Sequence, residues 1–113
     1  MLFRAIFAAI CAVCLSPPAL ADSCRASWYG FESGNRTANG EHFNPHGLTA
    51  AHRSMRFGTA VRVSYRGRSV VVRINDRGPA KWTGRCIDLS HGAAVKLGLI
   101  RAGVGVVHIE VLK

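Results

Sequence analysis

Three residues have the chemistry for acid–base work on a polar substrate: Asp76, Glu41 and His52. Asp76 stands in Arg73-Ile74-Asn75-Asp76-Arg77-Gly78-Pro79, directly after the run Val70-Val71-Val72. Extended geometry puts Val70, Val72, Ile74 and Asp76 on one face and Val71, Arg73, Asn75 and Arg77 on the other. The carboxyl thereby ends an apolar row, partly withdrawn from water, as a general acid should be. Gly78-Pro79 then turns the chain away and leaves it at an open rim. The same spacing suits a plain ion pair with a neighbouring arginine, or an Asx turn before Gly-Pro. Glu41 follows the turn signal Asn39-Gly40 and projects freely, as a solvated surface glutamate also would. His52 has the chemistry to orient a carboxylate or bond a substrate, or simply to satisfy a structural hydrogen bond.

Other chemistries have less support. His42 and His46 share i,i+4 spacing, but Pro45 breaks the helix that a metal pair there would need, so no metal and no cofactor is expected. No serine nucleophile elbow and no phosphate-cradling glycine loop is present. Trp28, Tyr29 and Trp82 are suited to stacking on sugar faces and equally to filling a small core.

The full chain of 113 residues carries a net charge of +9. Eleven Arg and three Lys against six acids fall after residue 21. Guanidinium forks suit carboxylates and phosphates. Nucleic acid is the usual partner of a small basic protein, but the sequence has no Lys/Arg run and no Arg-aromatic ladder. The first 21 residues also point to export. Arg4, the apolar run from Ala5 to Leu15, the Pro17-Pro18 break and the ending Ala19-Leu20-Ala21 have the order of a secretory signal, too short to span a bilayer. Cleavage is expected after Ala21, with no stable membrane insertion afterwards and a periplasmic or secreted product. Acylation at Cys24 fits less well, because Asp22 and Ser23 precede it.

Residues 22–113 form one domain whose size buries about 60 to 65% of its unfolded surface and gains from a staple. Cys24 and Cys86 are the only cysteines beyond residue 21, and in an exported protein such a pair reads as a disulfide. Period-two alternation dominates the rest. Val61, Val63 and Tyr65 share one face, a turn at Arg66-Gly67-Arg68 leads into Ser69 to Asn75, and Val107 to Val111 alternates again. One short helix is credible, capped by Ser90, formed by Ala93 to Leu97 and ended by Gly98. Thr49 to His52 reads as a single turn or an extended piece. Many short strands with glycine in most connections predict a mainly β protein, a small closed barrel with one or two short helices.

Several segments in order carry a resemblance: "ASWYG" (26–30), "TANGE.F" (37–43), "LTAAH" (48–52), "FGT.VRV" (57–63), "VVVRINDRGP" (70–79), "GR.IDLS..AA..LG" (84–98) and the closing "V.IEVL". Together they resemble the rare lipoprotein A family of septal ring lytic transglycosylases. That resemblance implies a six-stranded double-psi β-barrel. It further implies cleavage of the N-acetylmuramic acid to N-acetylglucosamine bond of peptidoglycan, on strands stripped of stem peptides. One acid protonates the glycosidic oxygen and the muramic 6-hydroxyl attacks C1, giving a 1,6-anhydro end without water. Carried onto this sequence, Asp76 and Glu41 are the acid/base pair and His52 supports them. Trp28, Tyr29, Asn75, Arg73, Arg77 and Arg36 are expected along the glycan, the arginines facing lactyl carboxylates. The partner is then peptidoglycan and not nucleic acid, and the protein a monomer. Expansin-like relatives loosen polysaccharide without cutting it, so a non-catalytic wall-binding barrel is the alternative.

Overall fold

A computed structural model describes residues 21–30, 32 and 34–112. Of the expected signal segment, residues 1–21, all but Ala21 lie outside them. Six strands occur in chain order: β1 (Ala21–Tyr29), β2 (Thr49–His52), β3 (Ala60–Tyr65), β4 (Arg68–Asp76), β5 (Arg85–Ser90) and β6 (Gly105–Leu112). They close into a barrel in the order β1-β5-β2-β4-β3-β6. β1 runs parallel to β5, and β2 to β4; the other four pairings are antiparallel.

Local chemistry accounts for the connections. The β3–β4 hairpin turns on Arg66 and Gly67, both at positive φ (48° and 80°), as a two-residue turn matched to the twist of its strands requires. Ser90 caps α1 (His91–Leu97): its Oγ accepts the Ala93 N–H, and Gly98 ends the helix in the left-handed region. Ala93, Ala94 and Leu97 face the barrel. Thr49 to His52 is extended, and a single 3-10 turn covers Lys81–Thr83.

The core is the apolar row of each strand. Val61, Val63, Val72, Ile74, Ile87, Leu89, Val107 and Ile109 are buried together with Leu97 and Leu99. Each such side chain contributes about 1.5–3 kcal/mol by leaving water. Cys24 and Cys86 are joined, closing a separation of 62 residues with their Cα atoms 5.9 Å apart. Cys86 is an extra residue in β5, lying between the partners of Arg25 and Ala26, and this bulge brings it beside Cys24.

A second bulge matters for function. Ala50 pairs with Ile74 but Ala51 pairs with Asp76, so Asn75 is an inserted residue in β4. Alternation therefore breaks one residue before the carboxylate. Asn75, expected outside, is 2% exposed, and Asp76 leaves the face of Val70, Val72 and Ile74 to join Ala51 on the opposite one.

Candidate active site

The bulge sets Asp76 into a row across four strands. Ser27 of β1 pairs with Asp88 of β5, Asp88 with Ala51 of β2, and Ala51 with Asp76 of β4. Residues in register share a face, here the one turned away from the main core. On it Tyr29, Phe43 and Ala51 form a small separate apolar cluster. The segment 34–47 lies over this face, bonded to the end of β4: the Asn39 N–H donates to the Asn75 carbonyl (3.3 Å) and the Ala38 N–H to Asp76 Oδ1 (2.9 Å).

A cavity of about 280 Å³ opens here, lined by Tyr29, Arg36, Ala51, Asp76, Arg77 and Asp88. Asp76 Oδ1 also accepts the Arg77 N–H at 2.9 Å, and the carboxylate makes no ion pair with a described residue. Asp88 Oδ1 accepts from Ser27 Oγ and from Arg85 Nη1, the latter at 3.0 Å. The Tyr29 hydroxyl is buried and has no hydrogen-bond partner. Burial, then the charges of Asp76 and Asp88, push its pKa well above the ordinary phenol value. It therefore feels both carboxylates and is directed at Asp76, without a well-formed hydrogen bond to either.

Glu41 lies in a neighbouring cavity of about 310 Å³, with His42, Asn44, Gly47, Leu48, Thr49, Arg73 and Asn75. Arg73 grips it at both oxygens (2.8 and 2.9 Å) and Asn75 Nδ2 donates at 3.0 Å. Those bonds, Arg73's first, bring its pKa down to about 2. In this arrangement Glu41 is a carboxylate and has no proton to give. Asn75 therefore lies between the two expected acid/base groups in the chain, its side chain on Glu41 and the next residue in the other cavity.

His52 lines neither cavity. Its Nδ1 accepts the backbone N–H of Ser54 (3.1 Å) and of Met55 (3.0 Å), which fixes the proton on Nε2. Burial, then Arg53 and Arg77, lower its pKa. The turn so formed presents the carbonyls of His52 and Met55 to Arg77 Nη1 at 3.2 and 2.7 Å. Arg77 also lies 3.9 Å over the Phe57 ring. His52 thus meets the Asp76 cavity only indirectly, through the Arg77 side chain that its carbonyl holds.

The other expected contacts divide. Arg36 and Arg77 line the Asp76 cavity, whereas Arg73 and Asn75 line that of Glu41. Tyr29 stacks on Phe43 with centroids 5.0 Å apart, and half-buried Trp28 meets His91 edge-on at 5.1 Å. Their rings pack on opposite faces of β1, Trp28 against the main core and Tyr29 in the small separate cluster. Trp82, at 89% exposure, is an open ring on the β4–β5 connection. Sequence reasoning gave Asp88 no role. The signal was a lone carboxylate between the buried Ile87 and Leu89, which an ordinary alternating strand also shows.

A six-stranded closed barrel with carboxylates on one outer face defines a class, and comparison with known proteins identifies it. Residues 21–109 match the family described as lytic transglycolase, and the chain belongs to that family; the fold is the double-psi β-barrel. The chain is 55% identical over 107 residues to a probable endolytic peptidoglycan transglycosylase RlpA of a Nostoc species, covering 85% of this chain and 29% of that protein. It is 44% identical over 100 residues to the endolytic peptidoglycan transglycosylase RlpA of Vibrio cholerae, covering 86% and 38%. The chain thus spans well under half the length of these relatives. Among solved structures, the Streptomyces papain inhibitor superposes with a TM-score of 0.70 at 22% identity, covering 86% of this chain and 98% of that one. An expansin of Clavibacter michiganensis gives 0.65 at 21%, covering 82% and 50%. These two share the fold.

Proposed function

We propose that this barrel is an exported lytic transglycosylase that cleaves the bond between N-acetylmuramic acid and N-acetylglucosamine in peptidoglycan, on strands lacking stem peptides. The observation that supports it is the Asp76 carboxylate at the edge of an open cavity, in a chain 44–55% identical to two proteins named as endolytic peptidoglycan transglycosylases. Asp76 protonates the departing oxygen, and the muramic 6-hydroxyl closes on C1. Glu41, held ionised by Arg73, supplies negative charge to the neighbouring cavity. His52 is a positioning residue acting through Arg77. Arg36 and Arg77 face the lactyl carboxylates, and Trp82 offers a stacking surface for a further sugar. The protein works as a monomer beyond the inner membrane after cleavage at Ala21.

The test is mass spectrometry of soluble products from amidase-stripped peptidoglycan. Wild type should release anhydro-ended fragments, and Asp76→Asn should lose at least about 100-fold in rate, the scale of a missing general acid. Wild type that pellets with glycan yet releases nothing would leave a non-catalytic binding barrel.

A further inference from the structure

The face that carries Asp76 carries a second carboxylate and a hydroxyl to which the expected acid/base pair gives no role. Asp88 and Asp76 flank Ala51 across adjacent strands. With strands about 4.8 Å apart, that places the two backbones roughly 10 Å apart, and the one side chain between them is a methyl group. Both carboxylates line the same cavity, and both are tied to the scaffold through Oδ1. Glu41, by contrast, belongs to the other cavity.

Tyr29 is the independent observation. The residue is 9% exposed, lines this cavity, and directs its hydroxyl at Asp76 without a well-formed hydrogen bond. A buried polar group left unpaired costs about 1–3 kcal/mol, so a well-packed site retaining one calls for an explanation. A phenylalanine would stack on Phe43 equally well.

We propose that Asp88 and the Tyr29 hydroxyl complete the proton-handling machinery of the Asp76 cavity, with Asp88 as the base and Tyr29 as the bridge that resets it. The step rests on the transglycosylase reading above. Asp76 gives its proton to the glycosidic oxygen as the C1–O bond breaks. The muramic O6 forms its bond to C1 and passes its proton to Asp88. Asp88 ends protonated and Asp76 ionised. Tyr29 then accepts the proton from Asp88 and donates its own to Asp76, restoring both groups without water. Arg85 and Ser27 hold Asp88 in place throughout, and the ionised form of each carboxylate in turn offsets charge developing at C1.

Tyr29→Phe is the cleanest probe, because the hydroxyl it removes makes no well-formed hydrogen bond to the scaffold. Asp88→Asn is its companion. Both would be compared with wild type for release of anhydro-ended fragments from amidase-stripped peptidoglycan, for pelleting with that glycan, and for thermal midpoint. The expected result is a rate loss of about 100-fold or more for Asp88→Asn and at least about 10-fold for Tyr29→Phe. Pelleting should stay within about threefold, and the Tyr29→Phe midpoint should be unchanged or higher. A merely structural role for Asp88 would lower stability and binding together with rate. Either folded variant cleaving at the wild-type rate overturns the proposal while leaving the transglycosylase reading intact. A wild type that releases no fragments removes that reading and this one with it. If Asp88→Asn does not fold, Tyr29→Phe alone decides.

Discussion

Two titratable side chains near the site both lose their stabilisation as acid is added, for different reasons and in different pH ranges. Glu41 holds its pKa near 2, below the ordinary 4.5, so the unfolded chain takes up the proton more readily than the folded one. The stabilisation from its Arg73 pair is therefore complete above about pH 4.5 and fades as pH falls toward 2. The pair is well exposed, which limits it to the roughly 0–1 kcal/mol of surface ion pairs, and Arg73→Ala should flatten that part of the thermal midpoint profile. His52 is also lowered, from 6.5, but there the folded state favours the neutral ring. Its contribution is present above about pH 6.5 and is lost as pH falls below it, because a protonated Nδ1 cannot accept from Ser54 and Met55. His52→Asn, whose side-chain oxygen still accepts, should remove the stability change between pH 7 and 5. A variant that keeps the same slope would show that another group titrates there.

At the scale of the element, the β3–β4 hairpin holds a non-glycine residue in the left-handed region at Arg66. Arg66→Asn should raise stability by about 0.5–1 kcal/mol in a denaturant midpoint, since asparagine tolerates that conformation and the flanking strands stay unchanged. This hairpin was legible from sequence because its signals are local: alternation on both sides and a glycine in the turn. The helix was legible for the same reason, with Ser90 and Gly98 marking its ends. The face of Asp76 was not. A period-two reading carries every residue forward by one, and the inserted Asn75 shifts all that follows to the other side. Only the pairing of β4 with β2 reveals that shift, and it joins residues more than twenty positions apart. Asp88 went unread because its significance depends on Ala51 and Asp76, its partners across two strands. The separate cavities of Glu41 and Asp76 likewise follow from how the segment 34–47 lies on the barrel.

For the whole molecule, the Cys24–Cys86 bridge ties β1 to β5 and closes a loop spanning most of the barrel. In the chain-entropy account such a loop contributes about 4 kcal/mol by restricting the unfolded state. Reduction should accordingly lower the thermal midpoint by roughly 15–30 °C at this chain length. An unchanged midpoint would mean that the barrel closes without its staple.

The strand order also has a bearing on how such a barrel comes into being. β1, β2 and β3 form no pairing among themselves, and neither do β4, β5 and β6; each of the six contacts joins one half of the chain to the other. The leading half alone has no sheet to make, so it stays a solvated thread until the trailing half arrives to be laced through it. Cut at Arg66-Gly67 and reduced at the Cys24–Cys86 bridge, the protein would become two pieces that are each shapeless and only jointly a barrel, a natural arrangement for fragment complementation.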